Sequence, residues 1–347
     1  MAANYRIAVV GSGAIGTYYG GKLAAGGRDV HFLIRTGLQD VRRHGLQIRG
    51  RKENLRVPKI NCYASTAEIG PCDLVLIAIK TTANRDLLKL IPPLLHETTM
   101  LLTLQNGLGN EEFLGRSFGD RRVLGGLCFI CLSRISPGVV EHYDYGHITL
   151  GEYGRRPGQR TRAIASEFKH CGVKCTLVQN LALERWRKLV WNIPFNGLSI
   201  LAGCIDTAAI LDDKNLRRTT LDLMDETIAA ANKCGYRLEP AAAREQIKRT
   251  KSMGAYKPST LLDFEAGKPL EIEAIWGEPF RRAAAAGART PRLQMLYATL
   301  RSLDGVRQKE NRPARNVLRK ENRRADKIGK DAVAAVYDRR PVKFRRS

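Results

Sequence analysis

A short glycine-rich segment near the start of the chain limits the fold more than any other sequence feature. Residues 11–16 read Gly-Ser-Gly-Ala-Ile-Gly. The apolar run Arg6–Val10 precedes them, residues 17–25 have helical spacing, and a second apolar run covers residues 30–34. In a strand–helix–strand unit, the first glycine permits a tight turn, the second admits a pyrophosphate and the third lets helix pack on strand. The sequence therefore predicts a dinucleotide-binding unit of the Rossmann type.

The backbone N–H groups at the start of the following helix would face the phosphates of a bound dinucleotide. A glycine-rich turn that binds nothing is the alternative interpretation. The predicted phosphate-binding residues are Gly11, Ser12, Gly13, Ala14, Ile15 and Gly16.

Arg35 follows the second apolar run and bears on the choice of cofactor. NAD-binding chains usually place Asp or Glu here to bind the ribose 2′-hydroxyl. A carboxylate would repel a 2′-phosphate, whereas a guanidinium can bind one through two charge-assisted hydrogen bonds. The sequence therefore favours NADP(H) over NAD(H), with a solvent-facing arginine as the alternative.

The hydrophobic pattern changes near residue 180. Before it, apolar runs at residues 74–79 and 100–104 are typical of strands covered on both faces, and residues 123–150 predict antiparallel strands. After it, helical periodicity dominates. We predict a Rossmann-type α/β domain over residues 1–180 and an all-α domain over residues 181–304. The predicted helices after the glycine-rich unit are residues 84–91, 181–191, 214–234, 241–248, 271–287 and 291–303.

The chain carries a large positive charge, with 58 Lys and Arg against 34 Asp and Glu, a formal net of +24. Residues 305–347 hold 15 of the basic and 5 of the acidic residues. Such an excess suits anionic ligands, nucleic acid or a membrane surface. We predict a basic C-terminal extension over residues 305–347, with too few apolar residues for a packed core. A single amphipathic helix is the alternative, with an apolar face of Leu318, Ala325, Ile328, Ala332 and Val336.

Apolar runs and cysteines bear on the compartment. The first apolar run, Ile7 to Val10, is too short for a signal-peptide core, and no stretch reaches the length of a membrane span. The eight cysteines lie mostly in apolar runs. Cys128 and Cys131 have the spacing of a zinc knuckle but lack its glycine-rich turn, so buried thiols are favoured over a metal site. We therefore expect no metal and a reducing, cytoplasmic location.

Two polar residues follow predicted strands. Lys80 follows residues 74–79, and Asn106 follows residues 100–105. Ligands of open parallel sheets bind beyond the carboxyl ends of the strands. Both side chains are therefore placed to meet a cofactor or substrate, although an exposed lysine and a turn-forming asparagine are the alternatives.

Lys188, Asn192 and Asn196 recur every four residues among Leu, Val, Trp, Ile and Phe. On one helix they form a polar line about 12 Å long. Polar groups on an apolar helix need partners, either within the protein or in a ligand. Pro194 should bend this helix or disturb its hydrogen bonding near Val190.

With these motifs, the chain resembles the ketopantoate reductase family over residues 6–303. The resemblance rests on the glycine-rich segment, on Arg35 and on the line of Lys188, Asn192 and Asn196. A later segment adds Ser259, Asp263, Gly267 and Glu271.

The resemblance implies an NADPH-dependent reduction of 2-dehydropantoate to (R)-pantoate, a step toward coenzyme A, in a cleft between two domains. It implies that Lys188 is the catalytic lysine and that Glu271 cooperates with it. The implied substrate contacts are Asn106, Asn192, Asn196 and Ser259, and the implied contacts near the cofactor are Lys80 and Asn106. An ammonium beside the keto oxygen would stabilise developing negative charge and deliver a proton. Burial would lower its pKa.

Ala83 departs from the family, whose members often carry Gln there. Two other functions stay open on the sequence. One is a paralogous NADPH-dependent reductase of another 2-oxo acid, and the other is a nucleotide-sensing or nucleic-acid-binding protein that uses the basic extension. A homodimer is compatible with the sequence.

Overall fold

The computed structural model describes residues 5–51 and 53–310, and the described part contains a sheet of ten strands. The strands are β1 (Arg6–Val10), β2 (Asp29–Leu33), β3 (Leu46–Gly50), β4 (Asn54–Val57), β5 (Asn61–Tyr63), β6 (Leu74–Ile77), β7 (Met100–Thr103), β8 (Val123–Ser136), β9 (Val139–Glu152) and β10 (Cys175–Leu177).

The strand order is β4-β3-β9-β8-β7-β6-β1-β2-β5, and β10 pairs with β9. Within this order, the six neighbouring strands β8-β7-β6-β1-β2-β5 are all parallel. β8 and β9 form a long antiparallel hairpin that turns the sheet, as the sequence predicts for residues 123–150. The parallel strands bring the ends of β1, β2, β6 and β7 to one edge, because parallel strands point the same way.

The central strands are apolar along their whole length because helices cover both faces of the sheet. All four residues of β6 and of β7 are buried. The helices of this half are α1 (Ala14–Ala25), α2 (Leu38–His44), α3 (Thr66–Ile69), α4 (Leu87–Leu90), α5 (Asn110–Phe118) and α6 (Gln159–His170).

The second half is helical. Its helices are α7 (Leu181–Leu201), α8 (Thr207–Asp212), α9 (Lys214–Lys233), α10 (Ala241–Met253), α11 (Ser259–Glu265), α12 (Glu278–Ala285) and α13 (Pro291–Glu310). α7 runs through the core of this half, and Trp186, Ile193 and Phe195 on it are wholly buried. Pro194 lies inside α7 and does not end it. Side chains that pack on every face of the helix stabilise it against the missing hydrogen bond.

The fold class predicted from the sequence, a Rossmann-type half followed by a helical half, is confirmed. Two local predictions differ. A 3₁₀ turn, Thr81–Asp86, replaces the first part of the helix predicted at residues 84–91. The helix predicted at 271–287 contains a π-helical turn, Glu273–Gly277, before α12. π-helical turns are rare and often lie at functional sites.

The last six residues of α13, 305–310, belong to the predicted basic extension. Arg307 holds this end of α13 in place, because its guanidinium donates to the backbone oxygens of Phe264 and Lys268 and to Asp304. The amphipathic face predicted at residues 318–336 lies outside the described residues. Within the described residues, no helix combines the length and apolar composition needed to span a bilayer.

Candidate active site

A cavity of about 670 Å³ lies between the sheet edge and the helical half. The β1–α1 turn and the ends of β2, β6 and β7 line one side of the cavity. β8, α7, α10 and α11 line the other side. Both halves of the chain therefore contribute to the same cavity.

The glycine-rich turn forms one end of the cavity. Gly11 has a φ of +111°, and a Cβ there would lie 2.5 Å from the backbone nitrogen of Ile79. A Cβ on Gly16 would lie 2.0 Å from the oxygen of Gly11. A Cβ on Gly13 would meet no atom within 4 Å. Gly11 and Gly16 are therefore fixed by packing, whereas Gly13 faces open space where α1 begins.

Arg35 lies at the end of β2 and lines the cavity. Its side chain is 62% exposed and lies 3.4 Å from Asp86, which is 54% exposed. An exposed ion pair of this kind contributes only about 0–1 kcal/mol. The guanidinium can therefore exchange Asp86 for a phosphate at little cost.

Lys188 places an ammonium at the wall of the cavity. Its Nζ donates to Oδ1 of Asn106 at 2.7 Å and to the carbonyl of Cys128 at 2.8 Å. Burial lowers the pKa of Lys188 to about 8, and the charges of Arg185 and Arg249 act in the same direction. A lysine with this pKa is a far better proton donor near neutral pH than a lysine in water, whose pKa is about 10.4.

Asn106 is held by a buried ion pair that the sequence analysis missed. Arg185, one turn before Lys188 on α7, pairs with Glu111 on α5, and both side chains are almost fully buried. Arg185 also donates to the backbone oxygen of Gln105 at 2.6 Å. This anchor fixes the residue before Asn106 and so orients the amide that accepts from Lys188. An arginine among apolar helix residues was the signal available in the sequence.

Lys80 joins the two halves across the cavity edge. Its Nζ lies 2.7 Å from Asp263 and 3.2 Å from Glu271. Glu271, which is buried, also accepts the backbone N–H of Thr81 at 2.9 Å. Burial lowers the pKa of Lys80, but the two carboxylates raise it more, so the net shift is upward and the lysine stays charged.

The resemblance implies that Glu271 cooperates with Lys188. The hydrogen bonds of the Lys188 ammonium go to Asn106 and Cys128 rather than to Glu271. Its charge still raises the pKa of Lys188, as a minor influence beside burial. The direct partner of Glu271 is Lys80, because the helical half packs Glu271 against the turn that follows β6.

The remaining predicted substrate residues separate into two groups. Asn192 and Ser259 line the cavity. Asn196 is buried and does not line it, because its amide donates to the oxygen of Asn192 and accepts the N–H of Thr260. The last residue of the predicted polar line therefore positions the start of α11 in this conformation.

The cysteines are free thiols, six of them buried and two half-buried. Burial raises the pKa of Cys128 and of Cys131 to about 11, so both thiols are neutral near pH 7. Among the described residues, no group of three or more His, Cys, Asp or Glu side chains could hold a metal ion.

Comparison with known proteins places the chain in a family. Two family models match it, "Ketopantoate reductase PanE/ApbA" over residues 7–155 and its C-terminal counterpart over residues 180–304. The chain belongs to the ketopantoate reductase family. This result confirms the resemblance inferred from the sequence and does not favour a nucleic-acid-binding function.

Individual relatives cover almost the whole described chain. A 2-dehydropantoate 2-reductase of a Nostoc species is 37% identical over 86% of this chain and 95% of its own length. The 2-dehydropantoate 2-reductase from Geobacter metallireducens, of known crystal structure, is 42% identical to this chain. The match covers 86% of this chain and 99% of the other, with a TM-score of 0.83. A dimeric ketopantoate reductase from Staphylococcus aureus shares the fold, with a TM-score of 0.74 and 20% identity. This match covers 87% of this chain and 99% of the other.

The cavity fits the NADPH that ketopantoate reductases use. Gly13 leaves room for a pyrophosphate, and the first turn of α1 has no side-chain cap on its N–H groups. Arg35 lines the cavity just beyond the end of β2, the strand end that faces the cofactor ribose in Rossmann-type domains. Lys80, Asn106 and Ala83 line the cavity beyond the phosphate end, and Ala83 leaves space where other members often carry Gln.

Proposed function

We propose that this ketopantoate reductase reduces 2-dehydropantoate to (R)-pantoate with NADPH, and that Lys188 is its general acid. The observation that carries the proposal is the partly buried ammonium of Lys188, which donates to Asn106 in one cavity with the glycine-rich turn. The family assignment supplies the substrate class.

NADPH, when bound, supplies the hydride that attacks the 2-keto carbon. The keto oxygen gains negative charge as its C=O π bond breaks, and it takes a proton from Nζ of Lys188. A preorganised cation at this oxygen stabilises the charge, and proton donation by a positioned side chain contributes about 10²–10⁴-fold to the rate. Lys188 regains its proton from solvent after product release.

Asn106 orients the proton donor. Its Oδ1 accepts from Nζ of Lys188, and its own backbone oxygen accepts from the side chain of Asn110. This bond fixes where the ammonium points before substrate arrives. The cost of positioning is therefore met on folding rather than during the reaction.

Asn192 and Ser259 offer neutral hydrogen-bonding groups to the substrate. Neutral donors suit a hydroxyl group, and Ser259 at the start of α11 also suits an anion. Asn196 acts indirectly, because it holds the backbone of Thr260, the residue after Ser259. Glu271 keeps Lys80 and Thr81 against the helical half and so maintains the cavity edge.

The wider assignments are part of the same proposal. Residues 1–180 would bind the cofactor and residues 181–304 would supply the substrate side. The dimeric relative from Staphylococcus aureus supports a homodimer. Eight free thiols support a reducing, cytoplasmic location.

Steady-state kinetics tests the proposal. The purified protein should oxidise NADPH with 2-dehydropantoate, at a higher kcat/KM than with other 2-oxo acids. Lys188→Ala should lower kcat about 10²–10⁴-fold. The exposed Lys233→Ala on α9 serves as the control and should keep full activity.

Two results would contradict the assignment. Normal turnover by Lys188→Ala would remove the lysine from the mechanism. A higher kcat/KM for a different 2-oxo acid would identify a paralogous reductase.

A further inference from the structure

Arg249 on α10 lines the active-site cavity and is not among the site residues predicted from the sequence. Its guanidinium lies over the ring of Phe129, with Cζ 4.0 Å from the ring centroid. One of its terminal nitrogens donates to the side-chain oxygen of Gln246 at 2.6 Å. Its Nε is buried and has no partner among the described residues.

The charge of Arg249 lacks a compensating carboxylate in the described structure. Its hydrogen-bond partner, Gln246, is neutral. The ionisable groups coupled to its charge are Tyr145, His147 and Lys188, and none of them is a carboxylate. Burial lowers the pKa of Arg249, although an arginine stays protonated at any physiological pH. A half-buried cation without a counter-ion is costly unless an anion binds beside it.

Two contacts place Arg249 close to Lys188. Lys188 donates to the carbonyl of Cys128, and the next residue of β8, Phe129, carries the guanidinium of Arg249 on its ring. Trp191, three residues after Lys188 on α7, donates to Thr250, the neighbour of Arg249. Both cations line the same cavity, and the charge of Arg249 acts on Lys188.

Two cations in one cavity suit the two oxygen-bearing groups of a 2-oxo acid. The keto group and the carboxylate sit on adjacent carbons, so a cation on each oxygen must come from neighbouring positions in the wall. Trp191, Met253 and Tyr256 line the same part of the cavity. Their side chains restrict water and strengthen a charge-assisted hydrogen bond there.

We propose that Arg249 binds the carboxylate of the 2-oxo acid while Lys188 and Asn106 hold its keto oxygen. This assignment rests on the proposed reductase function and adds a binding residue to it. A cofactor phosphate is the competing anion. The position of Arg249 favours the substrate, because α10 lies on the helical side of the cavity, opposite the glycine-rich turn.

The test compares charged and neutral substrates. Arg249→Gln should raise the KM for 2-dehydropantoate about 10- to 100-fold with a smaller change in kcat, because a charge-assisted bond to the bound substrate is lost. The KM for NADPH should stay within about twofold of the unmodified protein. The unmodified protein should strongly prefer 2-dehydropantoate over its lactone, which has no free carboxylate, and Arg249→Gln should lose that preference.

Matched variants separate binding from folding. Arg244→Gln removes an exposed arginine from the same helix and should leave both KM values unchanged. Arg249→Lys keeps the charge and should recover part of the affinity for the acid. If Arg249→Gln melts at a much lower temperature, Arg249→Met keeps an apolar contact with Phe129 and takes its place.

The outcomes are separable from those of the proposed function. An unchanged KM for the acid, or an increase in the KM for NADPH alone, would overturn the role of Arg249. If 2-dehydropantoate is not reduced, the reductase proposal fails for that substrate, and the same comparison applies to whichever 2-oxo acid is reduced, because all share the carboxylate. If calorimetry detects no binding of any 2-oxo acid to the NADP-loaded protein, both proposals fail.

Discussion

Replacing Arg185 with Met should destabilise the protein by about 3–5 kcal/mol, because it leaves the buried carboxylate of Glu111 without a counter-ion. The two side chains are 3% and 5% exposed, so solvent cannot compensate. Arg185 also donates to the oxygen of Gln105, and this acceptor loses its partner in the variant. An isolated buried charge costs more than the pair is worth, so most of the loss reflects the stranded carboxylate.

The double variant Arg185→Met/Glu111→Leu should recover most of this stability, because an apolar pair of similar volume often replaces a buried ion pair without loss. Activity should not recover with it. Gln105 would still lack its anchor, and a displacement of about 1 Å at Asn106 can cost about 100-fold in rate. Stability and kcat should therefore separate in the double variant.

Urea denaturation followed by circular dichroism gives the free energies of unfolding, and NADPH oxidation gives kcat. Arg218→Met serves as the control because Arg218 and Asp222 form an ion pair in which the arginine side chain is 79% exposed. Such a pair contributes about 0–1 kcal/mol. The reasoning fails if Arg185→Met costs no more than this control. It also fails if the double variant is as unstable as the sum of the two single variants.

Three further outcomes follow from the site. The kcat/KM for reduction should be level below about pH 8 and fall about tenfold per pH unit above it. The reason is that Lys188 must be protonated, and burial lowers its pKa to about 8. A level profile up to pH 10 would contradict this. Gly13→Ala should melt at the same temperature as the unmodified protein yet bind NADPH at least about tenfold more weakly. Gly16→Ala should lower the melting temperature, because a Cβ on Gly16 meets the backbone and one on Gly13 does not. Fluorescence titration with NADPH and thermal melts check both variants, and equal behaviour would refute the distinction. Arg35→Gln should lower the ratio of kcat/KM with NADPH to kcat/KM with NADH about 10- to 100-fold, because the variant loses the charge-assisted bonds to the 2′-phosphate. An unchanged ratio would place that phosphate elsewhere.

The predictions that succeeded rest on local rules. The glycine-rich segment predicted the β1–α1 turn because residues other than glycine rarely adopt a φ of +111°, as Gly11 does, and because a Cβ on Gly16 would lie 2.0 Å from the oxygen of Gly11. The predicted helix at 214–234 matches α9 (Lys214–Lys233), since its periodicity and its capping residue Asp213 agree.

The features that the sequence did not predict depend on contacts between distant segments. Helical periodicity over residues 271–287 carries no mark of the π-helical turn, which forms where the oxygen of Ala274 accepts the N–H of Leu108. The pairing of Glu271 with Lys80 rather than Lys188 joins positions 191 residues apart. No local pattern encodes such a choice, because it follows from how the two halves pack.

The sequence by itself determined the class of the chain: a Rossmann-type unit, a helical second half and a preference for NADP(H). Each of these follows from the type and spacing of neighbouring residues, which set backbone conformation and local chemistry. Only the tertiary structure decided which side chains meet. It paired Arg185 with Glu111, set Asn196 aside from the cavity and brought Arg249 and Lys188 into the same cavity. Burial between the two halves also lowers the pKa of Lys188, because desolvation depends on everything packed around a charge and not on its neighbours in sequence.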